Sequence, residues 1–133
     1  MCSDVRETPL ELELPAVPES VPQARHAVVA YSRPCEADLD AIAIATSEAV
    51  TNVVKHAYRH RIRRGVVRLR AKLKGSDLLV SVSDDGVGMF PDPNTKSAGI
   101  GLPLIGAFAS EVKLDTSHGG VRIEMRFPCP HAG

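Results

Sequence analysis

The segment between Pro34 and Gly65 constrains the fold more than any other part of the chain. Its alanine-rich composition and the acidic residues near its start favour one long helix, which we predict from about Glu36 to Tyr58. At about 100° per residue, one side of this helix collects Leu39, Ile42, Thr46, Ala49, Val50, Val53 and Ala57. The opposite side collects Glu48, Asn52, Lys55 and Arg59. The helix therefore has one side to bury and one side for polar chemistry.

Alternating apolar residues and turn residues predict five strands, because a strand with one buried face repeats every second residue. Glycine, serine and aspartate at 75–77 are turn residues that favour a hairpin, and a second hairpin is predicted near the C-terminus. The predicted strands are residues 10–14, 66–74, 78–83, 112–116 and 121–127.

Two further helices complete the predicted order. Ser20 can cap a first helix that carries Pro22 in its first turn and Arg25 on its outer side, and another helix is predicted from about Leu102 to Ser110. Because hairpins dominate, we predict an α+β fold, a two-layer sandwich whose mixed, mostly antiparallel sheet carries its helices on one face.

Length and composition exclude several classes of protein. A chain of 133 residues predicts a single domain, 1–133, with flexible tails at 1–8 and 128–133. The net charge of zero and the five aromatic residues argue against direct nucleic-acid or membrane partners. The three cysteines are odd in number and lack metal-site spacing, so we expect reduced thiols. No signal peptide or apolar span is evident, which predicts a cytoplasmic protein.

One local charge run departs from this balance. Basic residues are dense between Arg59 and Lys74. They are interpreted either as a solvated helix end and strand face or as a surface for a partner.

Three short blocks carry chemistry that suits a magnesium nucleotide. Glu48 and Asn52 lie one helical turn apart, where an amide oxygen can ligate Mg²⁺ and a carboxylate can accept a proton. Asp84 ends a predicted strand, and its carboxylate can accept from an exocyclic amine while Gly86 and Gly88 let the backbone approach a flat ligand. The G-x-G at 99–101 opens a helix, whose free N–H groups attract anions. Each block alone is a weak signal and is better explained as a solvated helix face or an ordinary turn.

Familiar nucleotide motifs are absent. After Gly101 the spacing to Gly106 fits a Walker loop, yet Ala107 and Phe108 stand where Lys and Ser or Thr are required. Leu104 replaces the third glycine of a dinucleotide fingerprint, and the eukaryotic-type kinase signatures are missing. A nucleotide would therefore require another architecture.

From Leu10 to Phe127 the sequence resembles the superfamily of gyrases, chaperones, histidine kinases and mismatch-repair ATPases (GHKL), with its Bergerat nucleotide fold. The matching motifs are E-x-x-x-N at Glu48 and Asn52, D-x-G-x-G at 84–88, and G-x-G at 99–101. The string SEAVTNVVKHAY at 47–58 is similar to the branch of bacterial anti-sigma factors that are also serine kinases.

The resemblance implies a role for each block. Asn52 would ligate Mg²⁺, Glu48 would activate the attacking hydroxyl, and Asp84 would bind the adenine amine of ATP. The remaining nucleotide-binding residues implied are Gly86, Gly88, Thr95, Lys96, Gly99, Ile100, Gly101 and Leu102.

The same resemblance implies partners. The substrate would be a serine of a small anti-anti-sigma protein of the STAS type, and the chain would bind a sigma factor as a homodimer until that antagonist displaces it. Arg25 matches an arginine of this branch that contacts partners, although it also fits a solvated surface arginine.

Two features depart from the family pattern. The segment from Met89 to Ala98 is short where relatives often carry a longer lid, which bears on phosphate clamping. Val121 stands where many relatives have a threonine whose hydroxyl supports the adenine end, and its loss predicts adenine binding weaker by about 1 kcal/mol.

Alternatives remain open at this level. The chain could hold ATP as a binding switch with little or no phosphoryl transfer, or serve as the ATPase half of a sensor histidine kinase. The blocks could also be accidental in a structural domain.

Overall fold

A computed structural model describes residues 8–35, 37–60, 65–84, 102–115 and 121–129, and the structural statements below concern these ranges. Five strands and three helices lie in them. The strands are β1 (Leu10–Pro15), β2 (Val66–Lys74), β3 (Asp77–Asp84), β4 (Glu111–Asp115) and β5 (Arg122–Pro128). The helices are α1 (Ser20–Ser32), α2 (Leu39–His60) and α3 (Leu102–Phe108), with a 3-10 turn at Arg33–Cys35.

The strands form one sheet in the order β1-β2-β3-β5-β4, and the four pairs between neighbours are all antiparallel. The predicted α+β class and mostly antiparallel sheet are confirmed. The β2–β3 hairpin turns at Gly75, whose φ of +62° lies in the left-handed region that glycine adopts without strain.

One face of the sheet is apolar and the other is polar, because each strand alternates. The side chains on the apolar face of the three central strands are Val67, Leu69, Ala71, Leu78, Val80, Val82, Ile123, Met125 and Phe127, all buried. They form one core with Ala24 and Val28 of α1 and with the buried side of α2. The helices therefore cover a single face, and the arrangement is the two-layer sandwich that the sequence predicts.

Helix α1 begins differently from the prediction. Ser20 is the first helical residue, and Glu19 precedes it without a capping hydrogen bond from its side chain. The Ser20 hydroxyl instead donates to the carbonyl of Pro15 at 2.6 Å. The predicted cap is wrong, because the buried Ser20 side chain fastens the helix to the end of β1.

Helix α2 is 22 residues long and starts three residues later than predicted. Asp38 caps it, with its Oδ1 accepting from the N–H of Ala41 at 3.1 Å. Ile42, Thr46, Ala49, Val50 and Val53 are fully buried, as predicted. The buried side is wider than predicted, since it also contains Ala41, Ala45 and Val54.

The C-terminal boundary also differs. The predicted flexible tail begins at residue 128, yet Pro128 ends β5 and Cys129 is buried. The N–H of Cys129 donates to the carbonyl of Ser76 at 2.7 Å. This hydrogen bond fixes the residue after β5 to the β2–β3 turn. At the other end, the carbonyl of Thr8 accepts from the Tyr31 hydroxyl at 3.1 Å.

Candidate functional site

Asp84 lies at the end of β3 on the face that the helices cover. Leu78, Val80 and Val82 precede it at alternate positions on the same face, which explains why a carboxylate at this position is only 7% exposed. A buried carboxylate is costly unless polar partners satisfy it. Asp84 therefore occupies a position, on the face that the helices cover, where the alternation of the strand predicts an apolar core residue.

The main chain of Val121 supplies one of those partners. Its N–H donates to Oδ2 of Asp84 at 3.2 Å, while the N–H of Asp84 donates to the carbonyl of Val121 at 3.1 Å. Asp84 has a further interaction beyond these two. The start of β5 thus orients the carboxylate at the end of β3.

Glu48 and Asn52 are half-buried on α2, one turn apart as predicted. The Nδ2 atom of Asn52 is buried and has no hydrogen-bond partner among the described residues. A buried amide without a partner costs about 1–3 kcal/mol. The polar side of α2 is therefore less solvated than a simple two-sided helix predicts, and Asn52 has an N–H donor that an acceptor atom of a ligand or a water could satisfy.

The chain connection brings α2 and Asp84 to the same end of the sheet. Only residues 61–65 separate the last residue of α2, His60, from the first residue of β2. The second residue of β2, Val67, pairs with Asp84, and α2 packs against β3. The C-terminal part of α2 and the Asp84 carboxylate therefore share one end of the molecule.

Arg25 is not the outward-pointing side chain that the sequence predicts. It is half-buried, and its Nη1 donates to the Ser47 hydroxyl of α2 at 3.4 Å, the long end of the range for hydrogen bonds. Ser47 directly precedes Glu48. Arg25 therefore links α1 to the turn of α2 that carries the predicted proton acceptor.

Several predicted residues fall outside the described ranges. They are Gly86, Gly88, Thr95, Lys96, Gly99, Ile100 and Gly101. Leu102 is the first residue of α3, so a helix does begin directly after the G-x-G, although the Leu102 side chain is not described. Helix α3 packs against α2, with Ile105 fully buried between them and the sheet.

Two contributions escaped the sequence analysis. The first is the main chain of Val121, because the sequence drew attention only to the hydroxyl that the Val121 side chain lacks. The second is the Oγ1 atom of Thr46, which is unpartnered among the described residues, although the burial of Thr46 itself was predicted. The alternation that predicts β5 from residue 121 was the available signal for Val121, because a strand start beside Asp84 presents main-chain groups to it.

No group of three or more His, Cys, Asp or Glu side chains within the described ranges could hold a metal ion. Magnesium in nucleotide sites needs only one or two protein oxygens beside phosphates and water. The side-chain oxygen of Asn52 can serve as one such ligand. Its buried Nδ2, which has no partner among the described residues, is instead a donor suited to a phosphate oxygen or a water. Among the helices described, none is long and apolar enough to cross a membrane.

Known proteins resemble this chain over most of its length. The family described as "Histidine kinase-like ATPase domain" matches residues 14–127. An anti-sigma F factor of Clostridium acetobutylicum is 29% identical, over 90% of this chain and 93% of its own. An anti-sigma F factor of Clostridium novyi is 30% identical, over 77% and 82% respectively.

Solved structures agree with the sequence comparison. The RsbU and RsbW domains of Rv1364c from Mycobacterium tuberculosis superpose with a TM-score of 0.69 at 25% identity, covering 90% of this chain and 32% of that one. The chain thus spans about a third of that protein. The catalytic domain of histidine kinase ThkA has the same fold, with a TM-score of 0.51 at 14% identity. The family match, the anti-sigma F relatives and the shared fold confirm the resemblance, and the chain belongs to the histidine kinase-like ATPase domain family.

Proposed function

We propose that the chain is an anti-sigma factor that binds ATP with Mg²⁺ and phosphorylates a serine of an anti-anti-sigma protein. The observation that carries this proposal is the buried Asp84 carboxylate, held by the Val121 N–H at the end of the sheet that the C-terminal part of α2 shares. Glu48 and Asn52 lie half-buried on the same helix. The relatives named anti-sigma F factor support the regulatory half of the proposal, because similarity to them covers nearly the whole chain.

Asp84 and Asn52 have separate roles in binding the nucleotide and its metal ion. The Asp84 carboxylate accepts from the exocyclic amine of adenine, which selects adenine over guanine because guanine places a carbonyl at that position. The Asn52 amide oxygen ligates Mg²⁺. Mg²⁺, when bound, neutralises phosphate charge and orients the terminal phosphate.

Glu48 acts on the protein substrate. Its carboxylate accepts the proton of the attacking serine hydroxyl as the serine oxygen bonds to the terminal phosphorus. The bond from that phosphorus to the bridging oxygen of ADP breaks, so the products are phosphoserine and ADP. The position of Glu48 one turn before Asn52 keeps the proton acceptor beside the metal ligand.

Arg25 is the proposed partner contact. It is half-buried against Ser47, one residue from Glu48, so a protein docked on α1 at Arg25 would lie close to the proton acceptor. The remaining expectations from the family, a homodimer, a cytoplasmic location and phosphate contacts from the glycine blocks, Thr95 and Lys96, belong to the same proposal.

A second function uses the same site without phosphoryl transfer. The segment 89–98 between the glycine blocks is short, and a short lid excludes less water from the phosphates. In that case the chain would be a partner switch that responds to bound ATP.

Phosphoryl transfer in a purified system distinguishes the two functions. The protein is incubated with radiolabelled ATP, Mg²⁺ and the anti-anti-sigma proteins of the source organism, beside the Glu48→Gln variant. The kinase predicts label on one antagonist's serine with the wild type and none with Glu48→Gln, which retains ATP binding. ATP binding without label would establish the switch instead.

A further inference from the structure

The face of the sheet that the helices leave open carries a charged groove. It has a volume of about 470 Å³, and Ser81, Ser83 and Leu79 of the central strand β3 form its floor. Side chains of β2 border the floor on one side and side chains of β5 on the other. This face is opposite the one that buries Asp84, so it is separate from the proposed nucleotide site.

The groove is cationic although the chain as a whole is neutral. Among the described residues, its lining contains six basic side chains and two acidic ones, Glu111 and Glu124, while the net charge of the chain is zero. The basic lining residues are Arg68, Arg70, Lys72, Lys113, Arg122 and Arg126. A concave surface lined mainly by one sign of charge concentrates ligands of the opposite sign.

The cations form a regular array because the register aligns them across the floor. Arg68 and Arg122 lie on either side of Ser83, and Lys72 and Arg126 lie on either side of Leu79. Alternate side chains on one strand are separated by about 6.6–6.8 Å. An extended peptide presents its own alternate side chains at the same interval.

Part of this charge is available to a ligand. Arg68 pairs with Glu13 at 3.3 Å and Arg70 pairs with Glu11 at 3.2 Å. These side chains are 58–64% exposed, which makes both pairs weak. Lys72 and Arg122 form no ion pair within the described ranges. Arg126 is held more firmly, by Asp77 at 2.7 Å and by Glu111 at 3.3 Å.

We propose that this groove binds an extended, acidic segment of a partner protein, with acidic side chains at alternate positions. Charge and spacing favour that occupant. No aromatic side chain of the part of the chain that the structure describes lines the groove, and single-stranded nucleic acid uses such side chains as stacking platforms. The proposal does not depend on nucleotide binding or phosphoryl transfer, since its residues are on the other face of the sheet.

Fluorescence anisotropy with a labelled peptide of alternating glutamate and threonine, about eight residues long to match a strand, tests the proposal. The matched variants are Ser81→Gln and Ser81→Glu, which have similar size and differ in charge at the centre of the floor. We expect Ser81→Glu to bind at least about tenfold more weakly than Ser81→Gln, because the added carboxylate, beside Arg70 at the centre of the floor, repels the acidic peptide.

The Arg122→Gln variant supplies a second measure. It should bind the peptide more weakly than Arg33→Gln, which removes the same charge from the exposed turn after α1. Equal binding by Ser81→Gln and Ser81→Glu, or no binding by folded wild-type protein at millimolar peptide, would overturn the proposal. Tighter binding of oligothymidylate would assign the face to nucleic acid instead. If the wild type forms a dimer that excludes the peptide, and the Ser81→Glu variant is a monomer, the groove binds a second copy of the chain and the proposal is wrong.

Discussion

The main-chain N–H of Val121 donates to Oδ2 of Asp84 at 3.2 Å, and the Asp84 N–H donates to the Val121 carbonyl at 3.1 Å. This reciprocal pair joins the end of β3 to the start of β5. It keeps the carboxylate oriented through main-chain atoms, which do not depend on the side chain at position 121.

Replacing Val121 with threonine should increase the affinity for ATP by about fivefold, the equivalent of about 1 kcal/mol for one hydrogen bond. The main-chain contacts to Asp84 remain, and the added hydroxyl reaches the adenine end. Titration calorimetry with Mg²⁺ and ATP measures the change, with Val121→Ala as the variant that adds no hydroxyl. Threonine and alanine variants of equal affinity would show that position 121 acts only through its backbone.

The Asn52→Ala variant should separate stability from ligand binding. Without nucleotide, the free energy of unfolding should stay the same or rise by up to about 1 kcal/mol, because the variant removes a buried amide nitrogen that lacks a partner. The increase in melting temperature that ATP and Mg²⁺ cause should disappear. Thr51→Ala, a neighbouring half-buried change on α2, is the control and should keep that increase.

Loss of stability without nucleotide in Asn52→Ala, together with a retained response to ATP, would contradict this account of Asn52. It would mean that the Asn52 amide stabilises the fold and does not contribute to nucleotide binding.

Much of the fold could be predicted from the sequence, because the spacing of apolar residues along a strand or helix depends only on residues that are close in sequence. Alternation along 66–74 and 78–83 predicted the β2–β3 hairpin nearly to the residue. The buried side of α2 was predicted at Ile42, Val50 and Val53 for the same reason. Periodicity could not show that Ser20 bonds to Pro15, because that contact depends on how β1 and α1 meet in space.

The candidate site was predictable to a different extent. Residue types and spacing identified Glu48, Asn52 and Asp84, since each side chain carries its own chemistry. The Val121 main chain was missed because any residue except proline provides an N–H, so the predicted start of β5 was the one signal for this position. The sequence also placed Arg25 outward, because helical periodicity gives the direction of the Cβ atom while the long side chain reaches across to Ser47.

Arg25→Ala and Ser47→Ala should differ in their effect on partner binding. Both variants remove the hydrogen bond from Nη1 of Arg25 to the Ser47 hydroxyl. Because its donor–acceptor distance is long, 3.4 Å, we expect the free energy of unfolding to fall by less than about 1 kcal/mol. Only Arg25→Ala removes the guanidinium, so it alone should weaken binding to a sigma factor or anti-anti-sigma protein, by about tenfold or more. Surface plasmon resonance measures both. Equal weakening by the two variants would indicate that Arg25 acts by bracing the helices.

Ser20→Ala should lower the free energy of unfolding by about 1–2 kcal/mol, because it removes the buried hydroxyl that donates to Pro15 at 2.6 Å. Ser110→Ala is the matched control, since its hydroxyl also donates to a main-chain carbonyl, that of Arg126, but is exposed. Urea denaturation compares the two. Equal destabilisation by Ser110→Ala and Ser20→Ala would contradict the claim that burial makes the Ser20 hydrogen bond the more stabilising of the two.

Titration of the protein with ATP in the presence of Mg²⁺, beside Asp84→Asn, tests the central claim most directly. An asparagine carbonyl can still accept from the Val121 N–H, so the fold should persist, but its amide nitrogen cannot accept from adenine. The account predicts that the wild type binds ATP and that folded Asp84→Asn binds it at least about thirtyfold more weakly, the equivalent of about 2 kcal/mol. Equal affinity of the two proteins, or no binding of ATP by the folded wild type, would contradict the assignment of Asp84 as the adenine-binding residue.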